Sequence, residues 1–114
     1  MRPIRIANFA GMFGDRPSAA REQLDGGPVD VLTGEYLAEL TMLIMARVRQ
    51  RHVGYARTFI PLVEEILGEC LDRGVKIVVN AGGLDAVGCA DAVDEVAAKL
   101  GLGEEQLRSW QGLL

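Results

Sequence analysis

The chain has 114 residues, 49% of them hydrophobic and 25% charged, with a formal net charge of -4. That length fits one domain with one core, and that composition fits a folded chain rather than a disordered one. The acidic balance argues against general nucleic-acid binding, which needs a basic face, and two cysteines do not make a disulfide scaffold.

No stretch approaches the roughly 20 apolar residues of a membrane span. The opening "MRPIRIANFAG" is too short an apolar run for a signal peptide and lacks a small-residue cleavage pattern. A cytoplasmic protein with Cys70 and Cys89 reduced is the expectation.

In chain order, "PIRIANF" at residues 3–9 alternates and stops near Gly11, as a strand does. A loop follows, then a short helix with Asp15 as cap, Pro17 in its first turn and Gly26-Gly27 at its end. "VDVLT" is a second short strand, and Thr33 can cap a helix beginning near Glu35. Leu37, Leu40, Ile44 and Val48 give that helix an apolar stripe.

Gly54 breaks the pattern, and a longer helix follows, with Phe59, Leu62, Val63, Ile66, Leu67 and Cys70 along one side. Gly74 ends it, and Arg73 places a cation at its C-terminus. "VKIVVN" is continuous and β-branched, the pattern of a strand covered on both faces. Asp85 can cap a fourth helix carrying Cys89, Val93, Val96, Ala97 and Leu100, closed by Gly101 and Gly103. "EEQLRSWQGLL" reads as a last short helix.

The order β-α-β-α-α-β-α predicts an α/β fold, an open Rossmann-like parallel sheet of about three strands with right-handed crossovers. Open sheets usually have more strands. The chain is therefore expected either to be a truncated piece of a larger domain or to have its exposed edge covered by a partner.

Ligands of such sheets bind outside the carboxyl ends of the strands. Three loops leave those ends: "NFAGMFGDR", "TGEY" and "NAGGLD". Glycines there allow close backbone approach, the following helix N-termini suit an anion, and Asn80 can donate and accept at the pocket floor. Gly82-Gly83 equally suit a tight turn, and Asn80 equally suits bracing a neighbouring loop.

"GMFGDR" is not the dinucleotide fingerprint, and "GGLDAVGCADA" lacks the Lys-Ser/Thr of a phosphate loop. Glu35 stands after the second strand, where a ribose-binding acid would be, without the glycine fingerprint beside it. His52, the single histidine, lies among arginines and reads as a solvated residue; no Ser-His-Asp motif includes Ser18 or Ser109. Cys89 lies in a first helical turn, where a thiolate is favoured, against the commoner reading of a small buried residue. Arg16 and Arg57 can each grip a carboxylate or phosphate, or form a surface ion pair.

The joint pattern "GDRPSA", "DVLTGEYLAE", "GYARTF" and "NAGGL" resembles the N-terminal part of the acyclic terpene utilisation family (AtuA-like proteins), over about Ile6 to Leu102. Typical members of that family are longer. The resemblance implies a catabolic setting, the breakdown of acyclic terpenes such as citronellol and geraniol through coenzyme A thioesters. It supplies no established catalytic set, only shared motif positions, and among these Asn80 and Asp15 are the candidate catalytic residues. It also implies Gly14, Arg16, Thr33, Gly34, Tyr36, Tyr55, Arg57, Gly82 and Gly83 as candidate substrate contacts.

Two functions follow as expectations. One is a part or subunit of an enzyme, a lyase or hydratase, acting on a small organic acid or acyl-coenzyme A thioester, with no metal and no further cofactor. In the other, the chain is a non-catalytic module whose sheet edge pairs with a second copy or a complementary subunit, with Trp110 a candidate anchor.

Overall fold

A computed structural model describes residues 2–37, 39–48 and 54–102. Three strands and four helices alternate as β1 (Ile6–Ala10), α1 (Ala19–Asp25), β2 (Val31–Gly34), α2 (Glu39–Val48), α3 (Phe59–Arg73), β3 (Lys76–Val79) and α4 (Ala86–Lys99). The sheet order is β1-β2-β3, with both pairings parallel. The expected short α/β sheet is therefore present. The reading of residues 104–114 as a last helix, with Trp110 in it, and the readings of His52, Gly103 and Ser109 fall outside the described residues.

Stepping the same way twice with right-handed crossovers puts both crossover connections on one side of the sheet. The burial pattern agrees. Phe9, Leu32, Ile77 and Val79 point into the core, where α1 packs on β1 and α3 on β3, with α4 behind α3. The opposite face presents Ile6, Asn8, Val31, Thr33, Lys76 and Val78, which share register positions across the three strands. Ile6 is 66% exposed and Val78 36%. The β-branched run of β3 is thus covered on one face among the described residues, not on both. A sheet wound in one direction only has no crossover helix to lay on its second face.

α3 is the main core helix: Phe59, Val63, Ile66, Leu67 and Cys70 are all fully buried. Each such large apolar side chain contributes about 1.5–3 kcal/mol by leaving water. Gly74 ends α3 in the left-handed conformation at φ 67, and its N–H and that of Val75 close onto Leu71 and Cys70. Arg73 reaches back across α1, donating to the Leu24 carbonyl at 3.0 Å and the Gly27 carbonyl at 3.2 Å. Arg21 of α1 pairs with Glu69 of α3 at 2.7 Å.

Several local expectations are corrected. α1 starts at Ala19 after Ser18, so Pro17 precedes the helix and Asp15 does not cap it. Asp15 instead accepts from the N–H groups of Gly11 and Arg16 and closes the β1–α1 loop on itself. Thr33 lies within β2 rather than capping a helix, because α2 begins at Glu39. Leu37 precedes α2 and packs against the core, and within α2 Met45 is buried while Ile44 is 51% exposed, so Ile44 is not on the inward side. The α4 cap is as expected: Asp85 accepts from Gly88 N–H at 2.9 Å.

Candidate functional site

At the carboxyl edge of the sheet the strand tips are tied to one another. Glu35 N–H donates to the Ala10 carbonyl at 2.8 Å, joining the tips of β2 and β1. Asn80, just past β3, joins β2 to β3. Its Oδ1 accepts from Tyr36 N–H at 2.8 Å and its Nδ2 donates to Glu35 Oε1 at 2.6 Å. The same Glu35 oxygen accepts from Leu37 N–H at 2.7 Å. Asn80 therefore braces the β2–α2 loop, and each of its polar atoms retains capacity for one further bond.

The "GYARTF" segment belongs to this edge as well. Ala56 N–H donates to the Ala81 carbonyl at 2.8 Å, and Leu84 N–H to the Gly54 carbonyl at 2.7 Å. That docking explains the glycines of "NAGGLD". Gly83 has φ +52, and a Cβ there would stand 2.8 Å from the Gly54 carbonyl oxygen and 3.0 Å from Met45 Sδ. A Cβ on Gly82 would stand 2.9 Å from Ala86 Cα. Both glycines permit chain-to-chain packing, which sequence spacing alone left open against ligand approach.

The expected site residues fall around two cavities rather than one hollow. The first, about 440 Å³ and open to solvent, is lined by Thr33, Gly34, Asn80, Gly82 and Gly83 together with Leu37, Val78, Val79 and Ala86. The second, about 320 Å³ and more enclosed, lies between the β1–α1 loop and the start of α3. Gly14, Asp15, Arg16 and Tyr36 line it, with Phe9, Met12, Pro17, Pro61 and Leu62 as apolar walls and Thr58 and Glu65 at its rim. Tyr55 and Arg57 line neither. Gly34 stands between the two: it lines the first, and a Cβ on it would stand 2.8 Å from the Phe9 ring of the second.

The electrostatics of the second cavity follow from its partners. Two backbone N–H groups, from Gly11 and then Arg16, hold the Asp15 carboxyl below the usual carboxylate range. Arg16 pairs with Glu22 at 3.2 Å. Tyr36 is 4% exposed, with its ring edge-on to Phe9 and Phe59 at 6.3 and 5.8 Å. Burial first, then the Asp15 charge, pushes its phenol up to about 12. Among the described residues, its hydroxyl donates to no protein group.

Other candidates lose support. Asp85 takes the Gly88 N–H in the first turn of α4, and α1 starts nine residues beyond the end of β1, so α1 does not open at a strand tip. Cys89 is fully buried, and burial, followed by Asp85, pushes its thiol up to about 11. That agrees with the packing reading rather than a thiolate. Among the described residues no group of three or more His, Cys, Asp or Glu side chains could hold a metal ion, and no helix is long and apolar enough to cross a membrane. Glu35 stands out in the sequence by position alone, and neither the docking role of Gly54 nor the place of Glu65 at the second cavity is marked there. Gly54 was legible as a helix breaker, whereas Glu65 sits on the solvent side of a helical pattern with no signal to mark it.

Fold and edge together define a small parallel α/β protein with cavities at its strand tips. The sequence profile of the "Acyclic terpene utilisation family protein AtuA" matches residues 4–107. The chain belongs to that family. No curated protein and no solved structure in the comparisons matches it.

Proposed function

We propose that this member of the acyclic terpene utilisation family is part of an enzyme, or a subunit of one, that binds a small organic acid or acyl thioester at the strand tips. The observation that carries the reading is the gathering of nine of the eleven expected site residues around two neighbouring cavities at one sheet edge. Ligand cavities of about 300–1,000 Å³ are usual for small molecules, and this edge is where open α/β sheets bind them.

In this reading the remaining N–H of Asn80 and nearby loop amides polarise a carbonyl, as oxyanion donors do. Asp15, held ionised by its loop, is the carboxylate of the reaction. Arg16 or Arg57 holds an acidic group of the ligand. Hydration and carbon–carbon cleavage next to a thioester both require such a polarised carbonyl.

Calorimetry and thermal shift of the chain with short acyl-coenzyme A thioesters, with coenzyme A as control, test it. A thioester response that weakens in Asn80→Ala is expected. Silence in both proteins removes the reading.

A second reading is favoured by a different observation. The sheet face bearing Ile6 and Val78 lacks a helical cover among the described residues, and Ile4 beside it is 70% exposed. In that reading the chain is an assembly module whose sheet edge, at β1 or β3, pairs with another chain that also covers this face. Sedimentation tests it, and a clean monomer at high concentration counts against it.

A further inference from the structure

The two cavities differ in what they offer a ligand, and the difference sorts the acid from the thioester. This step rests on the reading above, that an acyl compound binds at the strand tips. The more enclosed cavity has walls from Phe9, Met12, Pro61 and Leu62. Within it, Tyr36 is nine-tenths buried and makes no side-chain hydrogen bond with another described residue. The hydroxyl oxygen is not among the fully buried unpartnered atoms, so it meets accessible space in the cavity, where it can donate to an acceptor atom on a ligand.

Charge decides which acceptor. Two carboxylates, Asp15 and Glu65, line the cavity against one cation, Arg16, whose guanidinium already lies 3.2 Å from Glu22. A free carboxylate entering beside Tyr36 meets net negative surroundings, whereas an uncharged carbonyl does not. Nothing in the open cavity supplies the same combination: its polar side chains are Thr33 and Asn80, and Asn80 is engaged with Tyr36 N–H and Glu35.

We infer that the cavity between the β1–α1 loop and α3 takes an apolar chain ending in an uncharged carbonyl, with the Tyr36 hydroxyl donating to the carbonyl oxygen. Tyr36 is then the binding donor that selects thioester, ester or amide over the free acid. This assigns the acyl carbonyl to Tyr36 in place of Asn80, and the open cavity beside Asn80 is left for the rest of the ligand.

Hexanamide and hexanoate are suitable probes, because they share a chain and differ in charge at the carbonyl. Titration of the whole chain followed by amide NMR should show hexanamide shifting loop residues 11–17 and the start of α3. Hexanoate should bind at least about tenfold more weakly, since two carboxylates oppose it. Tyr36→Phe keeps both ring contacts and should weaken hexanamide by about fivefold, the factor of one neutral hydrogen bond. Glu65→Gln, at an exposed position, should narrow the gap between amide and acid. The inference is overturned if hexanoate binds as well as hexanamide, if Tyr36→Phe leaves the amide unchanged, or if the shifts centre on Gly82 and Gly83. It is overturned equally if hexanamide fails to bind up to its solubility limit. In each of these cases a thioester response in calorimetry would leave the broader acyl-binding reading standing.

Discussion

The carbonyl oxygen of Gly54 lies 2.8 Å from where a Cβ on Gly83 would stand. The approach exists because Leu84 N–H bonds that same carbonyl at 2.7 Å and so draws the α2–α3 connection onto the turn after β3. Gly83 also has φ +52, which L side chains rarely adopt. Gly83→Ala therefore meets a backbone clash and a conformational cost together, and should lose more than about 2 kcal/mol.

Two other glycines calibrate that number. Gly14 has φ +84 with nothing within 4 Å of a built Cβ, so Gly14→Ala should cost only the backbone term, about 1 kcal/mol. Gly68 lies inside α3 with open space around it, so Gly68→Ala should stabilise by about 0.5–1 kcal/mol. Urea unfolding of the three variants checks the order. If Gly83→Ala matches Gly14→Ala, the docking of Gly54 is not a tight contact.

Asn80 and Glu35 form the second joint of the edge. Asn80→Ala removes an acceptor for Tyr36 N–H and a donor to Glu35, and should cost about 1–2 kcal/mol. Asn80→Asp keeps the acceptor but sets a carboxylate against Glu35, and it should be at least as destabilised. Adding Glu35→Gln to Asn80→Asp supplies a donor again and should recover part of the loss. A double-mutant cycle in denaturant measures that recovery, and strict additivity would show that the two side chains do not interact in solution.

Much of this architecture was readable beforehand. Gly74 and Arg73 marked the end of α3, Asp85 marked the start of α4, and the alternation of strands and helices gave a parallel sheet. What failed had common physical causes. Thr33 and Asp15 are residues that cap helices when a helix follows at once. Here β2 runs through Thr33, and the carboxylate of Asp15 is used by its own loop. "VKIVVN" reads as doubly covered because Val78 is apolar, yet the direction of winding leaves its side of the sheet open. The division of the site between two cavities depends on Gly34 lying against Phe9, a tertiary contact that no spacing encodes.

At the opposite edge of the sheet, Asp30 binds Arg2 through both oxygens, at 2.6 and 3.0 Å, and accepts from Arg5 N–H at 2.8 Å. The Arg2 hydrogen bond first, then that N–H, pulls its carboxyl down to about 2. A carboxyl held below its unfolded value near 4 adds stability above that value, and the contribution disappears as pH falls through about 2. Asp30→Asn should therefore flatten the fall in melting temperature between roughly pH 4 and pH 2. Added salt should shrink the same step in the parent protein, because the pair is exposed to solvent. Melting curves at several pH values decide it, and an equally steep acid limb in the variant would remove Asp30 as its source.

Cys70 and Cys89 are both fully buried, and burial before any charge pushes each thiol up to about 11. The thiolate is the reactive form, so at pH 8 each holds roughly two hundredfold less of it than a free cysteine near 8.5. Burial adds steric exclusion to that deficit. A disulfide reagent such as Ellman's should therefore leave the folded chain unmodified for minutes at pH 8, and should titrate two thiols at once in denaturant. Cys89→Ala should leave the native time course unchanged. If instead one thiol reacts rapidly in the folded chain and Cys89→Ala abolishes that phase, the first turn of α4 opens in solution. The thiolate reading of Cys89 then returns.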